Sequence, residues 1–67
     1  MNVNRAIRQM SQAGYSIKYE PGSTLLGLKP ESQTIRVVWN HRDEVIAITV
    51  GNQPYRNIER AIREADQ

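Results

Sequence analysis

"GYSIKYEPGSTLLGLKP", Gly14 to Pro30, is the stretch on which the fold turns. Tyr15, Ile17 and Tyr19 alternate with Ser16, Lys18 and Glu20, the period of a half-buried strand, and Pro21-Gly22 then breaks the run. This reads as a hairpin. Setting Glu20 opposite Ser23 places Tyr19 against Thr24, Ile17 against Leu26 and Tyr15 against Leu28, which gathers the apolar residues on one side. The same test applies downstream. Across "KPESQT", Lys29 opposite Thr34 brings Leu28 to Ile35 and Leu26 to Val37.

The next segment, "IRVVWNHRDEVIAITV" (Ile35 to Val50), holds the only Trp and the only His. An even-numbered loop pairing Asn40 with Asp43 puts Val37 opposite Ile46 and Ile35 opposite Ile48, whereas an odd loop would send Ile46 and Ile48 to solvent. The spacing therefore predicts a four-stranded antiparallel meander. Its inner face would carry Leu26, Leu28, Ile46 and Ile48 together with Tyr15, Ile17, Ile35, Val37, Trp39 and Val50.

Helical periodicity flanks the strands. Val3, Ala6, Ile7 and Met10 fall at i, i+3, i+4 and i+7, Asn2 is suited to cap their start, and Gly14 to follow their end, giving a helix over Val3 to Ala13. Near the other end, Tyr55, Ile58, Ile62 and Ala65 share a face, and Pro54 suits a first turn whose N–H groups have no partner. Glu59 and Arg63 add an i,i+4 pair there, worth ~0.3 kcal/mol. The expectation is one α+β domain over residues 1–67, a two-layer sandwich of order α-β-β-β-β-α with both helices on one sheet face.

Composition sets limits on function. The chain has 67 residues, 39% of them apolar and 24% charged, which is ordinary globular usage. Without cysteine it has no disulfide, no thiolate nucleophile and no thiolate metal site. The start "MNVNRAIRQM" lacks the apolar run of a signal peptide, and no stretch approaches the ~18 apolar residues of a membrane span. A cytoplasmic protein with no membrane partner is expected.

Little here suits catalysis. His41 and Asp43 share one turn, but no serine stands in a triad order with them, and a single His among scattered carboxylates offers no metal-ligand pair. No enzyme activity, cofactor or metal is expected, and the glycines form no phosphate loop.

Binding surfaces are the better candidates. The predicted register lines up Leu25, Val38 and Val45 on the outer face, beside Arg36, as an apolar stripe on a polar surface. That stripe points to a protein partner or a second copy of the chain. A different class, RNA or DNA binding, would use Arg5, Arg8, Lys18 and Arg56, since Met1 to Tyr19 carries three basic residues and no acid. A third reading is an inhibitor, phage- or prophage-borne, that blocks a host nucleic-acid enzyme by surface contact.

One resemblance bears on the second reading. From Arg5 to Val38 the chain, with Gly14-Tyr15 opening one strand and Gly22-Ser23 the next, resembles the HicA-type toxins, mRNA interferases with a double-stranded-RNA-binding-like fold. Where that family places its catalytic His after Gly-Ser, this sequence has Thr24, and it has four predicted strands where that fold has three. The resemblance thus implies a degenerate interferase-like protein that binds RNA without cleaving it.

Overall fold

The apolar stripe of the first segment does form a helix. In the computed structural model, which describes Met1–Gln67, α1 spans Val3–Gln12, and the Asn2 side chain caps it by accepting the Asn4 N–H at 2.7 Å. Val3, Ala6 and Met10 are buried as the period requires. The chain then runs β1 (Ser16–Glu20), β2 (Thr24–Leu28), β3 (Ile35–Trp39), β4 (Val45–Val50), β5 (Gln53–Tyr55) and α2 (Ile58–Ala65). The strands form a single sheet in the order β1-β2-β3-β4-β5, every neighbour antiparallel. Buried residues of both helices join Tyr15, Leu25, Ile35, Val37, Ile48 and Val50 in one core, so the helices cover one face of the sheet.

The fifth strand is a correction to the four expected. Gly51, at φ 59°, and Asn52 turn the chain so that Val50 pairs with Gln53, and residues 53–55 extend the sheet where a first helical turn was predicted. Pro54 fits this because β5 is an edge strand, where a missing N–H breaks no inner ladder. Helix α2 starts later, at Ile58, where the Asn57 side chain accepts the Arg60 N–H at 3.0 Å.

The register also differs, and the difference begins at the first turn. Three residues make it, Pro21, Gly22 and Ser23, with Gly22 at φ 83° and Ser23 at φ 53°, so Glu20 pairs with Thr24 and not with Ser23. Ser23 holds this left-handed conformation while its carbonyl accepts the Trp39 N–H at 3.1 Å. One residue of shift turns every β2 side chain over. Tyr19 now faces Leu25 and Ile17 faces Gly27, and across the next pair Leu25 faces Val37 and Gly27 faces Ile35. Leu25 is completely buried, whereas Leu26 is half-buried and Leu28 exposed.

Gly27 gives the reason. A Cβ there would lie 2.9 Å from the buried Met10 Sδ, so helix α1 packs its methionine into the space that the missing side chain leaves. In the predicted register that position pointed to solvent, and Met10 would have met Leu26 or Leu28 instead.

The β3–β4 loop is odd and not even: Asn40 N–H donates to the Glu44 carbonyl at 2.9 Å, so Asn40 faces Glu44 and not Asp43. Only beyond a bulge does the expected parity return, slid by two residues, with Val37 opposite Ile48 and Ile35 opposite Val50. At the bulge Val38 pairs with Ala47 and Trp39 with Val45, leaving Ile46 as the extra residue. Val45 packs against the core, and so does Ile48. Two residues separate them, so Ile46 and Ala47 both point outward, and Ile46 is 62% exposed.

The two ends of the sheet are fastened differently. At one, Val45 N–H donates to the Met1 carbonyl at 2.7 Å and Val3 N–H to the Asp43 carbonyl at 2.8 Å, joining the start of α1 to β4. At the other, the Tyr15 hydroxyl donates to Asp66 Oδ1 at 2.5 Å, Ser32 Oγ donates to the same oxygen at 3.0 Å, and Lys29 Nζ donates to the Ala13 carbonyl at 2.9 Å. This latch ties the end of α2 to the end of α1.

Candidate binding surface

The outer face of the sheet is the face that neither helix covers. The corrected register assigns its residues row by row. Lys18, Leu26, Arg36 and Thr49 form one row across β1 to β4, and Glu20, Thr24, Val38 and Ala47 form the next, with Ile46 beside Ala47 in the bulge. Leu28 stands opposite Ser16 at the end of β2.

Of the four residues expected to line a partner stripe, Val38 and Arg36 lie on this face and Leu25 and Val45 do not. Leu25 is in the core because the three-residue turn inverts β2, and Val45 packs inward against the core because the bulge inverts the start of β4. Their places are taken by Leu26, Leu28, Ile46 and Ala47. The result is still an apolar patch: Ile46 and Ala47 adjoin Val38, and Leu26 lies one row away. Sequence reasoning assigned Leu26, Leu28 and Ile46 to the core because its test, apolar opposite apolar, is passed equally by both registers of a Leu-Leu pair. The signal that separates them is Gly27, the one β2 position where a helix side chain can enter.

Charge crosses the patch. Arg36 on β3 reaches over β2 to Glu20 on β1, its Nη1 lying 3.5 Å from Glu20 Oε1, with both side chains partly open to solvent. An exposed pair of this kind contributes little stability, between about 0 and 1 kcal/mol, but it fixes the arginine over the middle of the face. Lys18 makes no ion pair.

The basic residues expected to bind nucleic acid are spread over the molecule. Arg5 and Arg8 are exposed on α1, on the helix layer; Lys18 is on the opposite side of the sheet; and Arg56 lies in a polar cleft beside Tyr55, Arg60 and Glu64, next to the start of α2. No single surface gathers all four. Arg5 and Arg8 do share the solvent side of one helix turn.

Two other clusters lie away from this face. His41 sits in an exposed turn organised by Asn40, whose Oδ1 accepts the Arg42 N–H at 2.9 Å and the Glu44 N–H at 3.0 Å. Asp43 is there at φ 60°, so the pair that looked reactive in sequence is shaped by turn geometry. Nowhere do three His, Asp or Glu side chains gather as metal ligands.

The Tyr15–Asp66 latch holds the only two groups whose acidity is clearly perturbed. Burial and the bond to Asp66 push the Tyr15 hydroxyl up to about 12, and the hydrogen bonds from Tyr15 and Ser32 hold Asp66 below the ordinary carboxylate range. Lys29 lies 5.2 Å from the Tyr15 ring centroid and 3.4 Å from Asp66. The tyrosine is buried, and no cleft opens onto its hydroxyl, so the cluster is built to hold the helix ends together.

No helix is long and apolar enough to cross a membrane. Compared with protein-family models, with curated proteins and with solved structures, the chain matches none. The glycines that carried the interferase-like resemblance stand where turns require them, Gly14 at φ 93° after α1 and Gly22 at φ 83° in the β1–β2 turn.

Proposed function

We propose that this chain is a small non-catalytic binding module whose outer sheet face contacts a protein partner. The observation that carries the reading is the outward cluster of Ile46, Ala47 and Val38, flanked by Leu26 and Leu28, on the sheet face that neither helix covers. Apolar neighbours grouped on an exposed sheet supply contact area, and the Arg36–Glu20 pair beside them supplies a polar rim. Val38→Lys tests it. Val38 is on the outer face and outside the core cluster, so the variant should fold, and a partner captured from lysate by the wild type should be lost. Identical captured sets from the two proteins would refute the reading.

A second reading has its own observation: α1 presents Arg5 and Arg8 to solvent and carries no acidic residue. On this reading the chain is an RNA- or DNA-binding regulator, and its affinity falls steeply with salt and on Arg5→Ala with Arg8→Ala. Absence of binding to single- and double-stranded probes at low salt would remove it. Inhibition of a host nucleic-acid enzyme is a form of the first reading, with that enzyme as the partner.

A further inference from the structure

The sheet has two edges, and they are not alike. β5 is three residues long and contains Pro54, which offers no N–H, while the start of β4 beyond it is bridged by Asn2. β1 is five residues long, contains no proline, and pairs with β2 alone. A free edge of that length presents unpaired backbone groups to any chain that can align with it.

Which groups face outward follows from one bond. Trp39 N–H donates to the Ser23 carbonyl, which makes Thr24 and Val38 a pair that exchanges no hydrogen bonds directly, so the N–H and C=O of Thr24 turn to β1 and engage Glu20. Alternation then directs the N–H and C=O of Ile17 and Tyr19 to the free edge. None of the hydrogen bonds outside the ladders uses either residue.

Tyr19 adds a second peculiarity. It lies on the helix side of the sheet, opposite the buried Leu25, yet it is 64% exposed and meets Trp39 edge to face with ring centroids 6.4 Å apart. An aromatic pair stands open at the end of an open edge.

We propose that β1 pairs antiparallel with β1 of a second copy, about a two-fold axis at Tyr19, to form one continuous sheet. Three two-fold registers keep each side chain on its own face, centred on residue 17, 18 or 19. The axis at Lys18 sets two unpaired ammonium groups directly opposite each other, a repulsive arrangement. The axis at Ile17 sets Lys18 against Ser16. Only the axis at Tyr19 sets Lys18 opposite Glu20 of the other copy, twice by symmetry, on the outer face, and Tyr19 opposite Tyr19 on the helix face. The two Tyr19 residues then exchange their N–H and C=O bonds on the axis, and each Ile17 N–H meets the Pro21 carbonyl, while the Ile17 carbonyl, facing a proline without an N–H, stays open to solvent. Lys18, without an ion pair in the single chain, gains a carboxylate that Arg36 already holds in place. Arg8 of α1 does not oppose this, because it lies diametrically away from the Ala6–Met10 face that packs on the sheet.

The inference stands apart from the outer-face reading and extends it: two copies joined at β1 present their outer faces side by side. Sedimentation and engineered cysteines test it, in a chain that has no cysteine of its own. Opposed residues on the axis have Cα atoms about 4.5–5.5 Å apart, within disulfide reach. The expected result is a wild type that sediments towards twice 7.7 kDa as concentration rises. Tyr19→Cys should then cross-link under mild oxidation several-fold more than Lys18→Cys or Ile17→Cys. Lys18→Glu should return the protein to a single chain, and Lys18→Glu with Glu20→Lys should restore the dimer. Cross-linking strongest at Lys18→Cys or Ile17→Cys would overturn the register, and a wild type that stays a single chain up to about 1 mM, the dissociation constant of a marginal contact, would overturn the pairing. Val38→Lys separates the two proposals: it leaves the edge dimer intact and removes contact through the outer face. Circular dichroism of each variant shows that it is folded.

Discussion

Leu25 and Leu26 are chemically identical neighbours with opposite fates. Leu25 is fully buried between the helices and the sheet; Leu26 lies half-buried on the open face beside Arg36. The comparison extends to the whole sheet. On the inner face the buried side chains are fitted to one another, down to Met10 against Gly27, while on the outer face the apolar side chains meet only their sheet neighbours and solvent. One face maintains the fold, and the other can change at smaller cost to it.

Truncation should expose this contrast most sharply. Leu25→Ala should cost about 2–5 kcal/mol of unfolding free energy in denaturant, as for other emptied core sites, and Leu26→Ala less than about 1 kcal/mol. Equal losses would mean that β2 faces the other way. Gly27→Ala should come next, at roughly 1–3 kcal/mol, because its Cβ must displace a completely buried methionine. A neutral Gly27→Ala would argue for Gly27 on the outer face.

Smaller effects probe the corrected start of α2. Asn57→Ala should cost about 1 kcal/mol through the lost cap, while Pro54→Ala, at an edge strand, should change little. The reverse order would restore a helix beginning at Pro54.

The latch predicts a pH dependence, and its sign follows from the direction of each shift. The folded state holds the Tyr15 proton more tightly than the unfolded chain does, so this contribution is complete below pH about 10 and is lost as pH rises towards about 12. Tyr15→Phe should flatten that alkaline loss. Asp66, held below its ordinary value, contributes above that value and loses its contribution as pH falls through its folded pKa, so Asp66→Asn should flatten part of the acid limb. Thermal unfolding across pH reads both. Val38→Lys closes the series with a stability change within about 0.5 kcal/mol, its effect confined to contact with a partner.

Much of this was legible before folding. The stripe Val3, Ala6 and Met10, the Asn2 cap, and the inward parity of Ile17, Ile35, Val37, Ile48 and Val50 all stand as the periodicity implies. Val38 and Arg36 were likewise on the outer face in the sequence reading, and they remain there. Leu25 and Val45 were misplaced because a turn of three residues and a bulge each shift a strand's facing by one, and neither has a unique local signature. The "GNQP" turn has no single local reading, because Pro54 is equally good at a helix start and on a strand edge.

The sequence by itself therefore determined the α+β class, the antiparallel sheet and the order of its first four strands, because periodicity and turn residues act locally. The tertiary structure alone decided which leucine is buried. In "TLLGL" the alternation is satisfied either way up, and the choice falls to a contact seventeen residues away in sequence, where Met10 requires the space above Gly27. The same choice sets the makeup of the outer face, since every residue that β2 turns inward places its neighbour outward.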